Sequence, residues 1–170
     1  MPVRAVLVGA PGSGKTTVGQ QLAEELGVGF RDTDADVAAA AGMGITDIFV
    51  LRGEDGFRAL EVQAVLQALG EHDGVLALGG GAVTSVDVRE ALAGLPVVWL
   101  RVEAGTAVRR VGLSGPRPVL LGNVRAHWQE LLTARAPLYE QVAQWQVATD
   151  ERDPAAVAAE IAQRLRGEDG

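Results

Sequence analysis

The stretch Gly9-Ala10-Pro11-Gly12-Ser13-Gly14-Lys15-Thr16 matches the pattern G-x-x-x-x-G-K-S/T at every fixed position. A short apolar run, residues 3–8, precedes it, and apolar residues at helical spacing follow it, so the context is strand, glycine turn and helix. Glycines let successive backbone N–H groups turn towards phosphate oxygens, and the start of a helix adds the positive end of its dipole. The stretch therefore predicts a nucleotide-phosphate site, and the alternative is a tight glycine turn that binds nothing.

The turn supplies most of the predicted ATP-binding residues. These are Gly12, Ser13, Gly14, Lys15, Thr16 and Thr17. Lys15 can reach the β- and γ-phosphate oxygens, and Thr16 offers its hydroxyl to Mg²⁺. Lys15 is also the only lysine among the fifteen basic residues. Unless this bias is chance, it indicates a position where a compact ammonium group fits and the wide guanidinium fork of arginine does not.

Composition excludes several classes of protein. The 170 residues fit one domain, and 48% apolar content fills a single core. The absence of cysteine excludes disulfides, thiolate zinc sites and thiol nucleophiles. A net charge of −7 argues against nucleic acid or membrane partners, so an anionic ligand needs a local basic pocket. With no leader or anchor pattern, a soluble cytoplasmic protein is expected.

Strands and helices alternate along the chain. Strands are predicted at 3–8, 28–32, 74–78, 96–102 and 145–148. Helices are predicted at 15–27, 36–41, 45–52, 54–69, 85–93, 104–111, 124–142 and 154–166. In the third and fourth of these helices, Phe49 and Phe57 are expected to face inward. The pattern favours an α/β fold with a five-stranded, mostly parallel sheet and helices on both faces.

Two carboxylates follow the second predicted strand, in Asp32-Thr33-Asp34. Ligands of open parallel sheets bind at the carboxyl ends of the strands. On an extended segment the two acids share a face, where one can serve the metal and the other can orient a substrate hydroxyl. The alternative is that one of them only caps the next helix.

Three further features point to the same edge of the sheet. Gly79-Gly80-Gly81 ends the third strand and permits close approach of a ligand, unless it is a simple strand stop. Arg58 precedes Glu61 by one helical turn, so Glu61 can hold the guanidinium, unless the two form a surface ion pair. Arg117 lies between two prolines in an irregular segment that can close over phosphates, the alternative being an exposed loop arginine.

Taken together, these motifs resemble the shikimate kinase family. The six motifs, in order, are the glycine turn, Asp32-Thr33-Asp34, Phe57-Arg58-Ala59-Leu60-Glu61, Leu78-Gly79-Gly80-Gly81-Ala82-Val83, Arg117-Pro118 and Arg135-Ala136-Pro137-Leu138-Tyr139. The resemblance covers nearly the whole chain. It implies a P-loop NTPase fold like that of the nucleoside monophosphate kinases, in a single domain of residues 1–170 with substrate-binding and lid insertions.

The resemblance also implies a reaction. ATP donates its γ-phosphoryl group to the 3-hydroxyl of shikimate, on the pathway to chorismate and the aromatic amino acids. Mg²⁺ accompanies ATP, and Thr16 and Asp32 serve the metal. Asp34 binds the reacting hydroxyls and acts as base or orienter. The implied catalytic residues are Lys15, Asp34 and Arg117.

Substrate contacts follow from the same resemblance. Arg58 and Arg135 grip the shikimate carboxylate, and Gly79, Gly80 and Gly81 contribute backbone N–H groups. The substrate-binding region spans about 33–61, and a lid of about 112–124 carries Arg117 to the phosphates.

The adenine contacts are the least defined. The family often carries an aspartate shortly before the adenine-loop proline, and this chain has Ala148 there. Arg110 and Arg152 are the predicted contacts.

A monomer is expected. Two alternative functions stay open: a related hydroxy-acid kinase such as a gluconate kinase, or a nucleotide-dependent binding module without transfer chemistry.

Overall fold

A computed structural model describes residues 3–112 and 121–167, and its centre is one parallel sheet. The strands are β1 (Ala5–Val8), β2 (Phe30–Asp32), β3 (Val75–Ala77), β4 (Val97–Arg101) and β5 (Trp145–Ala148). They lie in the order β2-β3-β1-β4-β5, and every neighbouring pair is parallel. The predicted five-stranded sheet is confirmed. The first four strands are shorter than predicted, and the bounds of β5 are as predicted.

Helices connect the strands. They are α1 (Lys15–Leu26), α2 (Thr33–Ala41), α3 (Ile45–Glu71), α4 (Val86–Ala91), α5 (Ala104–Gly112), α6 (Leu121–Val142) and α7 (Pro154–Leu165), with a 3₁₀ turn at Ala82–Thr84. Inside α3, Gly53 has φ 71° and breaks the helical path. The two helices predicted at 45–52 and 54–69 therefore correspond to the two halves of α3. No helix within the described ranges is long and apolar enough to cross a membrane.

Two apolar layers cover the sheet. On one face, Leu22 of α1 and Ile161 of α7 pack with strand residues such as Leu7. On the other face, Val65 of α3 and Tyr139 of α6 pack with alternate strand residues such as Val6 and Leu76. Because successive strand residues point to opposite faces, β1 is buried on both sides. This burial fixes the position of the glycine turn that follows β1.

Two expectations about local structure are wrong. Asp34 was expected on an extended segment, but α2 begins at Thr33 and Asp34 lies in its first turn. The cause is Asp32, whose Oδ1 accepts a hydrogen bond from Asp34 N at 2.9 Å and caps the helix. Phe49 was expected to face inward and is 37% exposed. Ile48 takes the inward position instead, and neighbouring helical residues point about 100° apart, since a turn holds 3.6 residues.

Candidate active site

The glycine turn, residues 9–16 and here called the phosphate loop, presents unsatisfied N–H groups at the start of α1. Gly14 precedes the helix with φ 95°, a conformation that favours glycine, and no side chain caps the helix there. The first-turn N–H groups, from Lys15 to Thr17, have no carbonyl partner within the helix. By contrast, α2 and α7 begin with aspartate caps. An uncapped helix start suits an anion.

Lys15 lies across this loop. Its Nζ donates to Gly9 O at 2.7 Å and to Ala10 O at 3.0 Å. Burial lowers the pKa of Lys15 from 10.5 to about 8, although Asp34 and Asp32 oppose the shift. The Lys15 ammonium therefore loses its proton more readily than that of an ordinary lysine. It lies at the position where the motif predicts contact with phosphate.

A cavity of about 610 Å³ opens beside the loop. It brings together many residues predicted for nucleotide, metal and substrate. Among its lining residues are Gly12, Gly14, Lys15, Thr16, Thr17, Asp32, Asp34 and Arg110. Residues of the phosphate loop and the two aspartates, Asp32 and Asp34, line this cavity, which is referred to from here on as the cleft.

Thr16 and Asp32 face each other in the cleft. Thr16 Oγ1 lies 3.5 Å from Asp32 Oδ2, while the other carboxylate oxygen of Asp32 caps α2. Hydroxyl and carboxylate oxygens are ligands that Mg²⁺ accepts, and phosphates and waters usually complete its shell. Within the described residues, no group of three or more His, Asp or Glu side chains could hold a metal. The Thr16 hydroxyl and the Asp32 carboxylate are oxygen donors that fit a Mg²⁺ whose other ligands come from a nucleotide and water.

Asp34 and Glu61 converge on Gly79. A Cβ at position 79 would lie 2.6 Å from Asp34 Oδ1 and 2.6 Å from Glu61 Oε2. Gly79 N donates to Thr33 Oγ1 at 3.3 Å, which ties the start of α2 to the end of β3. Burial, and then the charge of Asp32, raise the pKa of Asp34 above its ordinary value, against the opposing charges of Lys15 and Arg58. A raised pKa suits a carboxylate that accepts a proton near neutral pH.

Arg58 lies against the end of the same glycine segment. A Cβ at Gly81 would clash with its guanidinium group. Arg58 Nη1 donates to Glu61 Oε1 at 2.7 Å, and Glu54 Oε1 lies 3.8 Å from Arg58 Nε. Because Glu61 is only 2% exposed, this is not the surface ion pair of the alternative interpretation. Glu61 holds the guanidinium as the helical spacing predicts.

Arg135, on α6, acts on the site through its charge. Its charge contributes to lowering the pKa of Lys15, and it acts against the burial that raises the pKa of Glu61. It also hydrogen-bonds Tyr139, whose pKa is raised mainly by burial. The Tyr139 hydroxyl donates to Gly80 O at 2.5 Å. Two predicted arginines, Arg58 and Arg135, thus act on the same carboxylate, that of Glu61.

The remaining predicted arginines differ in position. Arg110 donates to Gly12 O at 2.9 Å, so it lies on the phosphate loop. Arg152 is exposed and pairs with Glu160 on α7 at 3.1 Å, so its contacts are not with the loop. Arg117 and most of the predicted lid lie outside the described residues.

Three contacts of the site have no local signal in the sequence. Thr33 and Tyr139 fall inside motifs that the sequence singles out, and Thr149 follows Ala148, yet the pattern assigns none of the three a role. Their partners lie 46, 59 and 136 residues away along the chain. Spacing along the chain detects helical neighbours and cannot detect pairs at such separations.

Comparison with known proteins shows which sequences the chain resembles. The sequence model of the family described as "Shikimate kinase" matches residues 11–166. The shikimate kinase of Saccharopolyspora erythraea is 55% identical over 162 residues, which cover 95% of this chain and 93% of that protein. The one from Streptomyces coelicolor is 56% identical over 149 residues, with 88% and 87% covered.

Solved structures show the same likeness. Shikimate kinase from Acinetobacter baumannii, in complex with shikimate, superposes with a TM-score of 0.90 at 34% identity and covers 99% of this chain and 95% of its own. A gluconokinase from Sinorhizobium meliloti reaches a TM-score of 0.58 at 20% identity, covering 98% of this chain and 93% of its own. That second likeness concerns the fold alone.

Proposed function

The chain belongs to the shikimate kinase family, and we propose that it transfers the γ-phosphoryl group of ATP to the 3-hydroxyl of shikimate. This reaction belongs to the biosynthesis of chorismate and the aromatic amino acids. The observation that carries the proposal is the convergence in one cleft of the phosphate loop and Asp34, a carboxylate whose pKa is raised. A nucleotide phosphate and an acceptor alcohol can meet there.

The nucleotide binds through the phosphate loop. The N–H groups of residues 12 and 14–17 and the Lys15 ammonium surround its phosphates, while the Ser13 N–H donates to Ala10 O at 3.1 Å within the loop. Arg110 adds positive charge at Gly12. Arg110 and Arg152 remain the proposed adenine-side contacts. Arg110 has the stronger support, because Arg152 is paired with Glu160.

Mg²⁺ is proposed as the metal, held by Thr16 and Asp32. The two oxygens lie 3.5 Å apart at the phosphate end of the cleft. When bound, Mg²⁺ neutralises charge on the phosphate oxygens.

Shikimate is proposed to bind on the side of Asp34 that is away from the phosphate loop. Its carboxylate is proposed to bind between Arg58 and Arg135, since guanidinium groups bind carboxylates with two parallel hydrogen bonds. Backbone N–H groups of residues 79–81 complete the contact. Glu61 orients Arg58 through the 2.7 Å hydrogen bond, and the absence of side chains at 79–81 lets the substrate approach the backbone.

In the proposed mechanism Asp34 accepts a hydrogen bond from the 3-hydroxyl and then takes its proton. The alcohol oxygen forms a bond to the γ-phosphorus, the bond from that phosphorus to the β–γ bridging oxygen breaks, and ADP leaves. Lys15 stabilises the negative charge that develops on the phosphate oxygens. Arg117, on the lid, is proposed to add a second positive charge.

We further propose one domain of residues 1–170, with a substrate-binding region of about 33–61 and a lid of about 112–124. A monomer is proposed as the working unit. A cytoplasmic location is also proposed. We propose no nucleic acid or membrane partner, because a net charge of −7 opposes both kinds of binding.

The test is an ADP-release assay with ATP and Mg²⁺, in which shikimate and gluconate are compared as acceptors. ADP release that depends on shikimate, with little on gluconate, supports the proposal. Preference for gluconate would assign the chain to another hydroxy-acid specificity. Tight ATP binding without acceptor-dependent turnover would identify a binding module instead.

A further inference from the structure

Thr149 lies in the connection between β5 and α7 and reaches the phosphate loop from the far end of the chain. It is 3% exposed. Its hydroxyl oxygen lies 2.8 Å from Ser13 O, 3.2 Å from Arg110 Nη1 and 3.3 Å from Arg101 O. A hydroxyl has one proton to donate, and the nearest carbonyl is that of Ser13. Its lone pairs accept from Arg110.

The Arg110 guanidinium depends on these contacts. Besides the Thr149 hydroxyl, it donates to Thr149 O at 2.8 Å and to Gly12 O at 2.9 Å. All three acceptors are neutral, and among the described residues no carboxylate forms an ion pair with Arg110. Burial would raise the pKa of the neighbouring Asp150, but a hydrogen bond with Thr106, the backbone N–H of Glu103 at 3.1 Å and the charge of Arg110 lower it. Arg110 therefore lies beside the phosphate loop and forms no ion pair among the described residues.

The hydroxyl of Thr149 is not needed to hold the sheet together. Thr149 N donates to Arg101 O at 2.9 Å, which continues the pairing of β5 with β4. Replacing the hydroxyl by a methyl group leaves that backbone bond in place. It removes the donor to buried Ser13 O and one acceptor of Arg110. What the hydroxyl adds is a link between the phosphate loop and Arg110.

We propose that Thr149 is a positioning residue for the nucleotide: its hydroxyl fixes the phosphate loop at Ser13 and holds Arg110 over Gly12. The inference rests on the proposed function, since it takes the phosphate loop as the site of ATP. Loss of the hydroxyl leaves a buried carbonyl without its donor and lets the guanidinium move. Nucleotide binding weakens. Shikimate binding, which is proposed to use Asp34, residues 79–81, Arg58 and Arg135, does not.

The main variant is Thr149→Val, which keeps the shape of the side chain and removes only the hydroxyl. We expect the KM for ATP to rise about five- to tenfold, the magnitude of losing one hydrogen bond and stranding its partner. The KM for shikimate should stay within about twofold, and Thr149→Ser should restore the KM for ATP. A rise in both KM values together, or no rise for ATP, would overturn the proposal.

Thr106→Val is the matched control. Thr106 is also buried, on neighbouring α5, and its hydroxyl accepts from Arg109 at 3.3 Å. It also hydrogen-bonds Asp150, the neighbour of Thr149, so it tests a buried hydroxyl that supports the same connection without bonding the phosphate loop. We expect it to leave the KM for ATP unchanged. An equal rise in Thr106→Val would mean that any buried hydroxyl of this region has the same effect, and the proposal would be wrong.

A double-mutant cycle with Arg110→Ala tests the link directly. If Thr149 acts in part through Arg110, Thr149→Val must cost less in the Arg110→Ala background, and strictly additive effects would contradict the link. If Thr149→Val shows no cooperative thermal transition, Thr149→Ala takes its place.

Calorimetry measures ATP affinity without shikimate, so it separates the role of Thr149 from the proposed function. Absence of shikimate turnover in the unsubstituted protein refutes the function, whereas unchanged ATP affinity in the variant refutes the role of Thr149.

Discussion

Substitution of Gly79 by alanine should disable phosphoryl transfer while leaving ATP binding intact. Gly79 joins the end of β3 to the 3₁₀ turn, and its own N–H is bound by Thr33. A Cβ there would lie 2.6 Å from one carboxylate oxygen of Asp34 and 2.6 Å from one of Glu61. No phosphate-loop atom is among its three nearest neighbours, so the change acts on the acceptor side of the cleft.

The size of the effect follows from the overlap. Ordinary van der Waals contact begins at 3.4 Å, so each carboxylate must shift by about 0.8 Å or the backbone must move by as much. The cap of α2 fixes the Asp34 backbone, and Glu61 is buried against Arg58, so a shift of either carboxylate changes its position relative to the acceptor. A displacement of about 1 Å at a reacting group costs on the order of 10²-fold in rate, and we expect kcat to fall by about that factor.

The assay is shikimate-dependent ADP release, with ATP affinity measured separately by calorimetry. Gly70→Ala is the control, because a Cβ at this position of α3 meets nothing within 4 Å. Its kcat should equal that of the unsubstituted protein. A Gly79→Ala protein that melts normally and keeps full kcat would refute the close approach of Asp34 to Gly79.

The other predictions concern charges of the cleft. Asp34→Asn should keep ATP affinity by calorimetry and lower kcat by a factor on the order of 10² to 10⁴, and unchanged turnover would remove Asp34 from the mechanism. Arg58→Ala should cost roughly 2 to 4 kcal/mol in kcat/KM for shikimate, because a charge-assisted contact is lost; an unaltered value would reject that role. Lys15 acts as a cation with a pKa of about 8, so kcat/KM for ATP should fall as pH rises through about 8. At the acid end, kcat should fall as Asp34 is protonated, at a pH above the ordinary pKa of an aspartate, since the pKa of Asp34 is raised. A pH profile from 4 to 10 that is flat on the alkaline side would contradict the assignment of Lys15.

Local patterns explain why so much of the fold could be predicted. The strand, glycine turn and helix at residues 3–27 are encoded by neighbouring residues, and so is the break in α3 at Gly53. The predicted start of α2, at residue 36, is wrong because the start depends on the conformation of Asp32. An aspartate after a strand can continue the extended chain or cap a helix, and the hydrogen bond to Asp34 N decides for the cap.

Predicting the site had a different limit. The residue types that carry charge or bind phosphate stand out in the sequence, so Lys15, Asp34 and Arg58 could be named in advance. The groups that hold them in place do not stand out. The hydroxyls of Tyr139 and Thr149 donate to the backbone carbonyls of Gly80 and Ser13, and nothing in the local pattern reveals which carbonyl is near. Such contacts depend on the tertiary packing of the whole sheet.

The glycine segment 79–81 contacts three parts of the site that come from distant parts of the chain: the phosphate loop, the carboxylates and Arg58. Position 79 faces two carboxylates, position 80 faces the ring of Pro11 in the phosphate loop, and position 81 faces the Arg58 guanidinium. A side chain at any of the three would push one part of the site away from the others. The segment therefore sets the distance between phosphate loop, acid and arginine by contact with its backbone. Because it follows buried β3, and Tyr139 holds Gly80 from the other side, that distance is built into the core of the protein.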